Sequence, residues 1–534
     1  MDIEAAEPGA ARAGLSIEAL RRWLQAATGA AVELIETHIS WVLLGNTHVW
    51  KVKKPVRTGF LDFTHMQTRR ACCEEEVRLN RRMAPELYLG VVAIVGSARC
   101  PRIAGEPCEP LSIGDGDAAD ARDATDDVPG PVIDHAVLMR RFASGALFSE
   151  RLAAGALDAA TVGRFARRLA AFQREAARID ATMPWGTAER IRADTALALR
   201  GIAAAAPAEA SWVDALRTHF HAWEERLAPT FDERRRQGLV REGHGDLHLA
   251  NVVVLESQVT AFDCIEFDPG LRWIDVQNDA AFLAMDLLAH GRADLAWGFI
   301  DDWLAALGDY EGVAVLRYYL TYRAVVRKLV ATLAATAQPD YAQLIGTLLE
   351  PVQPRLLITH GVSGSGKSHV ARALLGHAGA IRLRSDIERK RLQGLDALAR
   401  SQSAPGEGLY ADTVTTQVYE RLLALAALAL DAGWPVIVDA TFLRAADRDR
   451  FRRLAHERGV PFAILECRAD EPVLRDRVQA RLDAGLDPSE ADLAVLERQL
   501  AQREVLRGDE PAHALVVDTT HGPFDAAAIA RAWR

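Results

Sequence analysis

Gly361-Val-Ser-Gly-Ser-Gly366-Lys367-Ser368 fits G-x-x-x-x-G-K-[ST] in full. Before it, Arg355–His360 (RLLITH) reads as a short buried strand, and after it His369–Leu375 (HVARALL) opens a helix. A strand, a glycine turn and a helix N-terminus form a cradle whose backbone N–H groups and dipole favour phosphate. Gly361, Gly364 and Gly366 let the backbone wrap the phosphates without intruding Cβ atoms, and Ser363 and Ser365 complete the loop. The motif predicts that Lys367 reaches the β/γ-phosphates of a nucleoside triphosphate and that Ser368 holds Mg²⁺.

Downstream, Ala380–Leu383 reads as a strand followed by Arg384-Ser385-Asp386, and Trp434–Val438 as a strand ending in Asp439. Parallel strands deliver chemistry at their carboxyl ends, so Ser368, Asp386 and Asp439 can converge on one rim. Asp439 fits a Walker-B-like aspartate at Mg²⁺, the alternative being a helix cap. After a strand at Phe462–Cys467, a helix carries Arg475, Arg477 and Arg481; the last two are i, i+4 neighbours, and a solvated face is their alternative. A last strand at Leu515–Val517 and a last helix at Phe524–Trp533 complete this half. The arrangement resembles the P-loop kinases of small molecules and polynucleotide ends, with zeta-toxin and gluconate kinase relatives, over residues 354–534. That resemblance implies that Asp386 orients or deprotonates an acceptor hydroxyl. It also implies that Arg477 and Arg481 are lid arginines that neutralise the transferring phosphoryl.

Glu350-Pro351-Val-Gln-Pro354 marks the boundary on the upstream side. Ahead of it, apolar helices are expected over Asp279–Leu307 and Leu316–Ala335, where Arg323 and Arg327 form a stripe of the kind that usually faces solvent. Further back lies His244-Gly-Asp246-Leu-His-Leu-Ala-Asn251, then strand Val252–Leu255, a turn, and strand Val259–Phe262 ending at Asp263. Asn251 before one strand and Asp263 after the other fall at the same rim, which supplies the hard oxygen ligands that magnesium takes. Asp246 sits on the connecting loop, where an acceptor hydroxyl can be met.

Nearer the N-terminus, Leu15–Ala27 reads as a helix with Ser16 as its N-cap. Ile35–Leu44 and Thr47–Lys54 read as a hairpin about Gly45-Asn46. Val49 and Lys51 share one strand face, Trp50 and Val52 the other. Lys51 reads either as an edge lysine that blocks strand addition or as a phosphate contact. Thr68–Met83 is a charged helix containing Glu74, Glu75 and Glu76; Tyr88–Val95 and Val132–Phe142 are strands, and helices dominate from Ser149 to Arg236. Gly114–Gly130 is small and acidic and reads as a surface loop.

H-x-D-x-x-x-x-N followed by a hairpin and an aspartate resembles the catalytic core of the aminoglycoside phosphotransferase family, relatives of protein kinases, over roughly residues 30–335. The resemblance implies that Lys51 holds the α/β-phosphates with Glu76 as its helix partner, and that Asp246 is the catalytic base. It further implies that Asn251 and Asp263 are Mg²⁺ ligands, that Met139–Phe142 is the hinge beside adenine, and that Ile274–Asp279 is structural. Lys53 remains a rival for Lys51, two residues on along the same face. No G-x-G-x-x-G precedes Lys51 and no F-G follows Asp263, which fits small-molecule kinases better than protein kinases.

The length of 534 residues exceeds one core at about 150 residues per domain. The expected organisation is a two-lobed α+β kinase-like domain (1–345), a linker (346–354) and an α/β P-loop NTPase domain with a mainly parallel sheet (355–534). A net charge of −10 gives no general basic footprint, so nucleic acid and anionic membranes are disfavoured as partners. Six scattered cysteines, none in a C-x-x-C pair, argue against a zinc site or a disulfide framework. The N-terminus lacks an apolar h-region, and the longest apolar run, Leu422–Leu430, is about half a membrane span, so a cytoplasmic protein is expected. Together these features predict a tandem phosphotransferase using ATP and Mg²⁺ on small hydroxylated acceptors. The rivals are an ATP-binding regulatory protein without transfer and a nucleic-acid 5′-end kinase.

Overall fold

The computed structural model describes residues 15–58, 61–105, 130–256, 258–334, 338–396, 412–484 and 489–533. Cys108 and nearly all of the acidic stretch 114–130 lie outside them. The chain divides into two compact units. The first takes the described residues up to Leu157 together with Ala176–Asp180 and Val240–Ile274; the second takes Asp158–Glu175, Ala181–Leu239 and Asp275 onward.

The first unit is built on a six-stranded antiparallel sheet. Its spatial order is Glu33–Glu36, Ser40–Leu44, His48–Lys53, Val132–Arg140, Tyr88–Ser97, Cys100–Ile103. Alternation along His48–Lys53 decides what each face buries. Trp50 and Val52 pack with Leu20 and Leu24 of the helix Ile17–Thr28, which starts at the expected cap: the Ser16 side chain accepts from Ala19 N–H. Val49 points the other way, toward Cys73 and Val77 of the helix Met66–Arg81 and toward Val253 of the Val252–Val254/Val259–Ala261 hairpin. The strand His48–Lys53 is paired on both sides, so the edge-lysine alternative for Lys51 is overturned.

The second unit contains a P-loop domain. Five parallel strands run Ile381–Arg384, Val436–Asp439, Leu356–His360, Phe462–Arg468, Ala514–Asp518, with the P-loop strand at the centre. Leu356–His360 is buried at every position, because helices cover both faces of such a sheet and erase the alternation. The unit also includes the helices Val276–Ala289, Ala293–Leu307 and Val313–Ala334. Arg234 clamps their ends, bonding Asp275 at 2.7 and 2.8 Å and Asp309 at 2.6 and 2.9 Å. Asp275 also caps Val276–Ala289 through Gln277 N–H. Arg323 does not face solvent as its helical stripe suggested: it is 5% exposed and donates to Asn278 Oδ1 at 2.7 Å. Trp434, entering the strand Val436–Asp439, donates its indole N–H to Val313 O at 2.8 Å. It meets Trp297 edge-on and lies under the Arg317 guanidinium. Among the described residues, no helix is long and apolar enough to cross a membrane.

Candidate functional site

Each unit carries one cleft with the sequence-predicted residues around it. In the first unit, Lys51 Nζ lies 2.9 Å from Glu76 Oε1 and 2.5 Å from Asp263 Oδ1. Lys53 Nζ, fully buried, lies 2.5 Å from Glu76 Oε2 and pairs with Glu266. The two lysines therefore share one glutamate but differ in depth. Lys51 opens onto a cleft of about 540 Å³ that also exposes Asp246, Asp263 and Met139, whereas Lys53 is enclosed behind it. Of the three consecutive glutamates, Glu76 is the one wholly buried.

The charges lean on one another. Burial works against the Lys51 ammonium, but Asp263 and Glu76 outweigh it and hold its pKa well above the usual lysine range. Burial likewise opposes the Glu76 carboxylate, yet Lys51 and Lys53 pull its pKa down to about 2. For Glu266 burial prevails over Lys53, and its pKa rises.

Side-chain and backbone hydrogen bonds tie the strand-end residues together. Asn251 Nδ2 donates to Asp246 O at 2.9 Å and to Asp246 Oδ2 at 3.1 Å, and Phe262 N–H donates to Asn251 O at 3.0 Å. His244 spans the same gap, with Nε2 2.9 Å from Phe262 O. Asp263 carries φ 62°, and its N–H donates to the Tyr88 hydroxyl at 3.1 Å. Among the described residues, Asp263 and Phe442 (φ 48°) are the two non-glycine positions in the left-handed region. Asp263 follows the strand Val259–Ala261 and lines the first cleft, and Phe442, fully buried, follows the strand Val436–Asp439; such strain of about 1–3 kcal/mol is held by the surroundings.

In the second unit the glycines of the loop are sterically required. A Cβ on Gly364 would stand 2.7 Å from Leu474 O, and one on Gly361 would stand 2.7 Å from Cys467 O. A Cβ on Gly366 would lie 3.0 Å from Thr519. Lys367 begins the helix Lys367–Ala378, and its Nζ donates to Val362 O at 2.7 Å. Burial draws this ammonium below the usual lysine range, with Asp439 and Asp386 pulling the other way. Ser365 Oγ is buried with no hydrogen-bond partner among the described residues. A buried cation facing a carbonyl, orphaned polar atoms and a cradle that a Cβ would fill together suit a phosphate group.

Ser368 Oγ donates to Asp439 Oδ1 at 3.1 Å. Asp386, in the first turn of the helix Ser385–Leu392, lines the same cleft of about 410 Å³. Arg477 is pinned rather than free: Nη2 donates to Thr519 O at 2.5 Å, and Nη1 to Thr519 Oγ1 at 2.9 Å and Gly364 O at 3.3 Å. Arg481 donates to Ala491 O at 2.9 Å, and its Nε is buried without a partner.

The sequence singled out neither Arg382 nor Asp301. Arg382 Nη1 donates to Ser368 O at 3.1 Å and lies 3.4 Å from Asp439 Oδ2, while Nε and Nη2 hold Asp301 at 3.1 and 2.6 Å. Burial opposes its charge, and Asp301 and Asp439 reverse that and raise its pKa. A charged residue inside the apolar run Ile381-Arg-Leu was the available signal, since a buried strand admits a charge only with a partner.

Among the described residues no group of three His, Cys, Asp or Glu side chains gathers as a metal nest. Both donor sets still suit magnesium, which takes one or two protein oxygens and completes its shell with water and phosphate. In the second cleft these are Ser368 and Asp439; in the first, Asp263 lines the cleft, while Asn251 is buried with its Nδ2 on Asp246.

The sequence family described as an AAA domain matches residues 356–506. An uncharacterized protein of Mycobacterium tuberculosis is 28% identical over 484 residues, 88% of this chain and 90% of the relative. One from Mycobacterium bovis matches with the same figures. A match of that extent includes both halves, so they occur together in one chain there too. Among solved structures, a sugar kinase from a Janibacter species is 22% identical, with a TM-score of 0.26, covering 34% of this chain and 94% of its own. A gluconokinase from Sinorhizobium meliloti is 23% identical, with a TM-score of 0.24, covering 34% and 89%. The family match falls within the P-loop domain.

Proposed function

We propose that this chain is a tandem ATP-dependent phosphotransferase in which each cleft passes the γ-phosphoryl of ATP to a small hydroxylated acceptor. One observation carries the proposal: two unrelated scaffolds present the same functional set. Each has a cleft-lining lysine, an aspartate at or just past a strand end, and a second aspartate open to the same cleft. In the first cleft Lys51 takes phosphate oxygens, Glu76 steadies it, Met139 borders adenine, and Asp246 receives the acceptor proton. Lys53, enclosed between Glu76 and Glu266, supports the glutamate from behind. In the second, the loop from Gly361 to Ser368 wraps the phosphates, Asp386 receives the acceptor proton, and Arg477 and Arg481 face the transferring group.

In either cleft the acceptor oxygen bonds to the γ-phosphorus and the bond to the β–γ bridging oxygen breaks. The acceptor proton passes to the aspartate, and ADP leaves. Magnesium would be held by Asn251 and Asp263 in the first cleft and by Ser368 and Asp439 in the second, and would supply charge neutralisation. The protein contributes positioning and fixed charge. The cytoplasm, where ATP is abundant, is the working compartment.

The second cleft also favours an acceptor that carries negative charge. Arg384, Arg389, Arg444, Arg477, Arg481, Arg498 and Lys367 face three aspartates, a surplus of four positive charges. Bound Mg·ATP, a dianion overall, cancels half of it.

The test is mass spectrometry of products formed from ATP and paired neutral and phosphorylated or carboxylated polyols. Wild type is run beside Lys51→Ala and Lys367→Ala. Each variant should lose one product and keep the other, with the Lys367-dependent product anionic before transfer. ATP binding without any product would favour a regulatory ATP-binding protein. A product on a 5′-hydroxyl oligonucleotide would favour the end-kinase alternative.

A further inference from the structure

We propose that Asp301 and Arg382 form a positioning pair for the P-loop site, in which Asp301 holds the Arg382 guanidinium back from closing on Asp439. This rests on the P-loop cleft being a Mg·ATP site.

Both side chains are buried, Arg382 3% and Asp301 4% exposed. The guanidinium spends two of its donors on Asp301, at 3.1 and 2.6 Å. Its remaining edge is divided between Ser368 O at 3.1 Å and Asp439 Oδ2 at 3.4 Å. Asp439 Oδ1 is thereby left to Ser368 Oγ, and the carboxylate is steadied without being captured. A second arginine anchors the helix that carries Ser368: Arg372 bonds Asp302 at 2.7 and 2.8 Å and Asp301 at 3.3 Å. Two adjacent aspartates on the helix Ala293–Leu307 thus fix the strand behind the site and the helix that begins at Lys367.

Remove the Asp301 charge and the buried guanidinium must find another anion, because an unpaired buried charge is strongly unfavourable. Asp439 is already within 3.4 Å of it. A planar fork closes readily on a carboxylate through two parallel bonds, and that would occupy the oxygens the divalent cation needs. The cation affinity of the P-loop site is therefore governed by a residue some 80 positions upstream of Arg382 on a helix the sequence assigns to the preceding domain.

The experiment uses the full chain with Lys51→Ala as the parent, so that the first cleft loses its phosphate lysine. Binding of a fluorescent N-methylanthraniloyl ATP is followed as Mg²⁺ is titrated, with folding checked by thermal melting. Asp301→Asn should raise the Mg²⁺ half-saturation point by about tenfold or more, while nucleotide affinity in EDTA stays within about twofold. Adding Arg382→Gln to Asp301→Asn should bring the half-saturation point back toward the parent, since no guanidinium remains to capture Asp439. An unchanged half-saturation point in a folded Asp301→Asn protein overturns the proposal, as does a shift that persists in the double variant. If Asp301→Asn does not fold, Asp301→Glu, which displaces the guanidinium with a longer arm, takes its place and should shift the point by about threefold. No shift there overturns the proposal too. A parent that binds no nucleotide under any Mg²⁺ concentration sinks the P-loop reading itself, and this inference with it.

Discussion

The two clefts differ in the balance of charge on their walls. In the first unit Lys51 and Lys53 are already committed to carboxylates, and the cleft is lined by Lys51, Arg140 and Arg141 against Glu150, Asp246, Asp263 and Glu266. In the second, seven cations face three aspartates and Lys367 rests on a backbone carbonyl. On the proposed function, a nucleotide tail in the first cleft would need added positive charge, whereas the second offers it in advance. One route draws on side chains brought from distant segments; the other draws on a contiguous loop and a helix end.

Four measurements break or sharpen that contrast. The largest effect is expected at Asp246. Asp246→Asn should lower transfer from the first cleft by about 10²–10⁴-fold, with the Lys367-dependent product unchanged in the same assay. A comparable fall in both products would mean the clefts are not separate.

Glu76 comes next. Its pKa falls from an ordinary 4.5 to about 2 in the folded chain, so its contribution is present above pH 4.5 and is lost as pH falls toward 2. Glu76→Gln should cost about 3–5 kcal/mol at pH 7 by denaturant unfolding, because it strands buried ammonium groups. The gap to wild type should narrow steadily below pH 4.5, and a constant gap would show that the charge is not what stabilises.

Lys367→Ala should reduce P-loop transfer by about 10²–10³-fold, in line with the loss of a single preorganised charge at a developing anion. Its melting temperature should not fall, since it removes a buried cation that, among the described residues, pairs with a backbone carbonyl and no carboxylate. A lower melting point would mean that the Val362 contact matters more to the fold than to phosphate.

The smallest effect separates the clefts by metal. In EDTA, ATP affinity measured in a Lys367→Ala chain, which reports the first cleft, should fall about tenfold more than in a Lys51→Ala chain, which reports the second. Equal losses would erase the electrostatic distinction.

Legibility in the sequence followed the distance over which each site is assembled. The P-loop was readable because strand, glycines, Lys367 and Ser368 fall within a dozen residues, and the sheet has to deliver them to one rim. The stretch from His244 to Asp263 was readable for a similar reason, as a hairpin fixes which ends meet. Lys51 and Lys53 could not be separated, since a period of two places both on one face. Their difference in depth comes from Asp263 and Glu266, 212 and 213 residues further along. Arg477 left a solvated face open as its alternative because Thr519, which pins it, is 42 residues away. Arg382 passed as a strand residue because Asp301 lies 81 residues upstream within an apolar helix.

The seating of Trp434 has a practical corollary for anyone cutting the chain. Its indole hydrogen bond, its edge-on meeting with Trp297 and the Arg317 guanidinium over its ring all come from segments ahead of the proline-rich stretch at 351–354. A gene fragment opening at that stretch would expose this aromatic plug to water and abandon the counter-ions of Arg372 and Arg382. Expressed alone, such a fragment should be poorly soluble, whereas one opening before Val276 would carry its own seal.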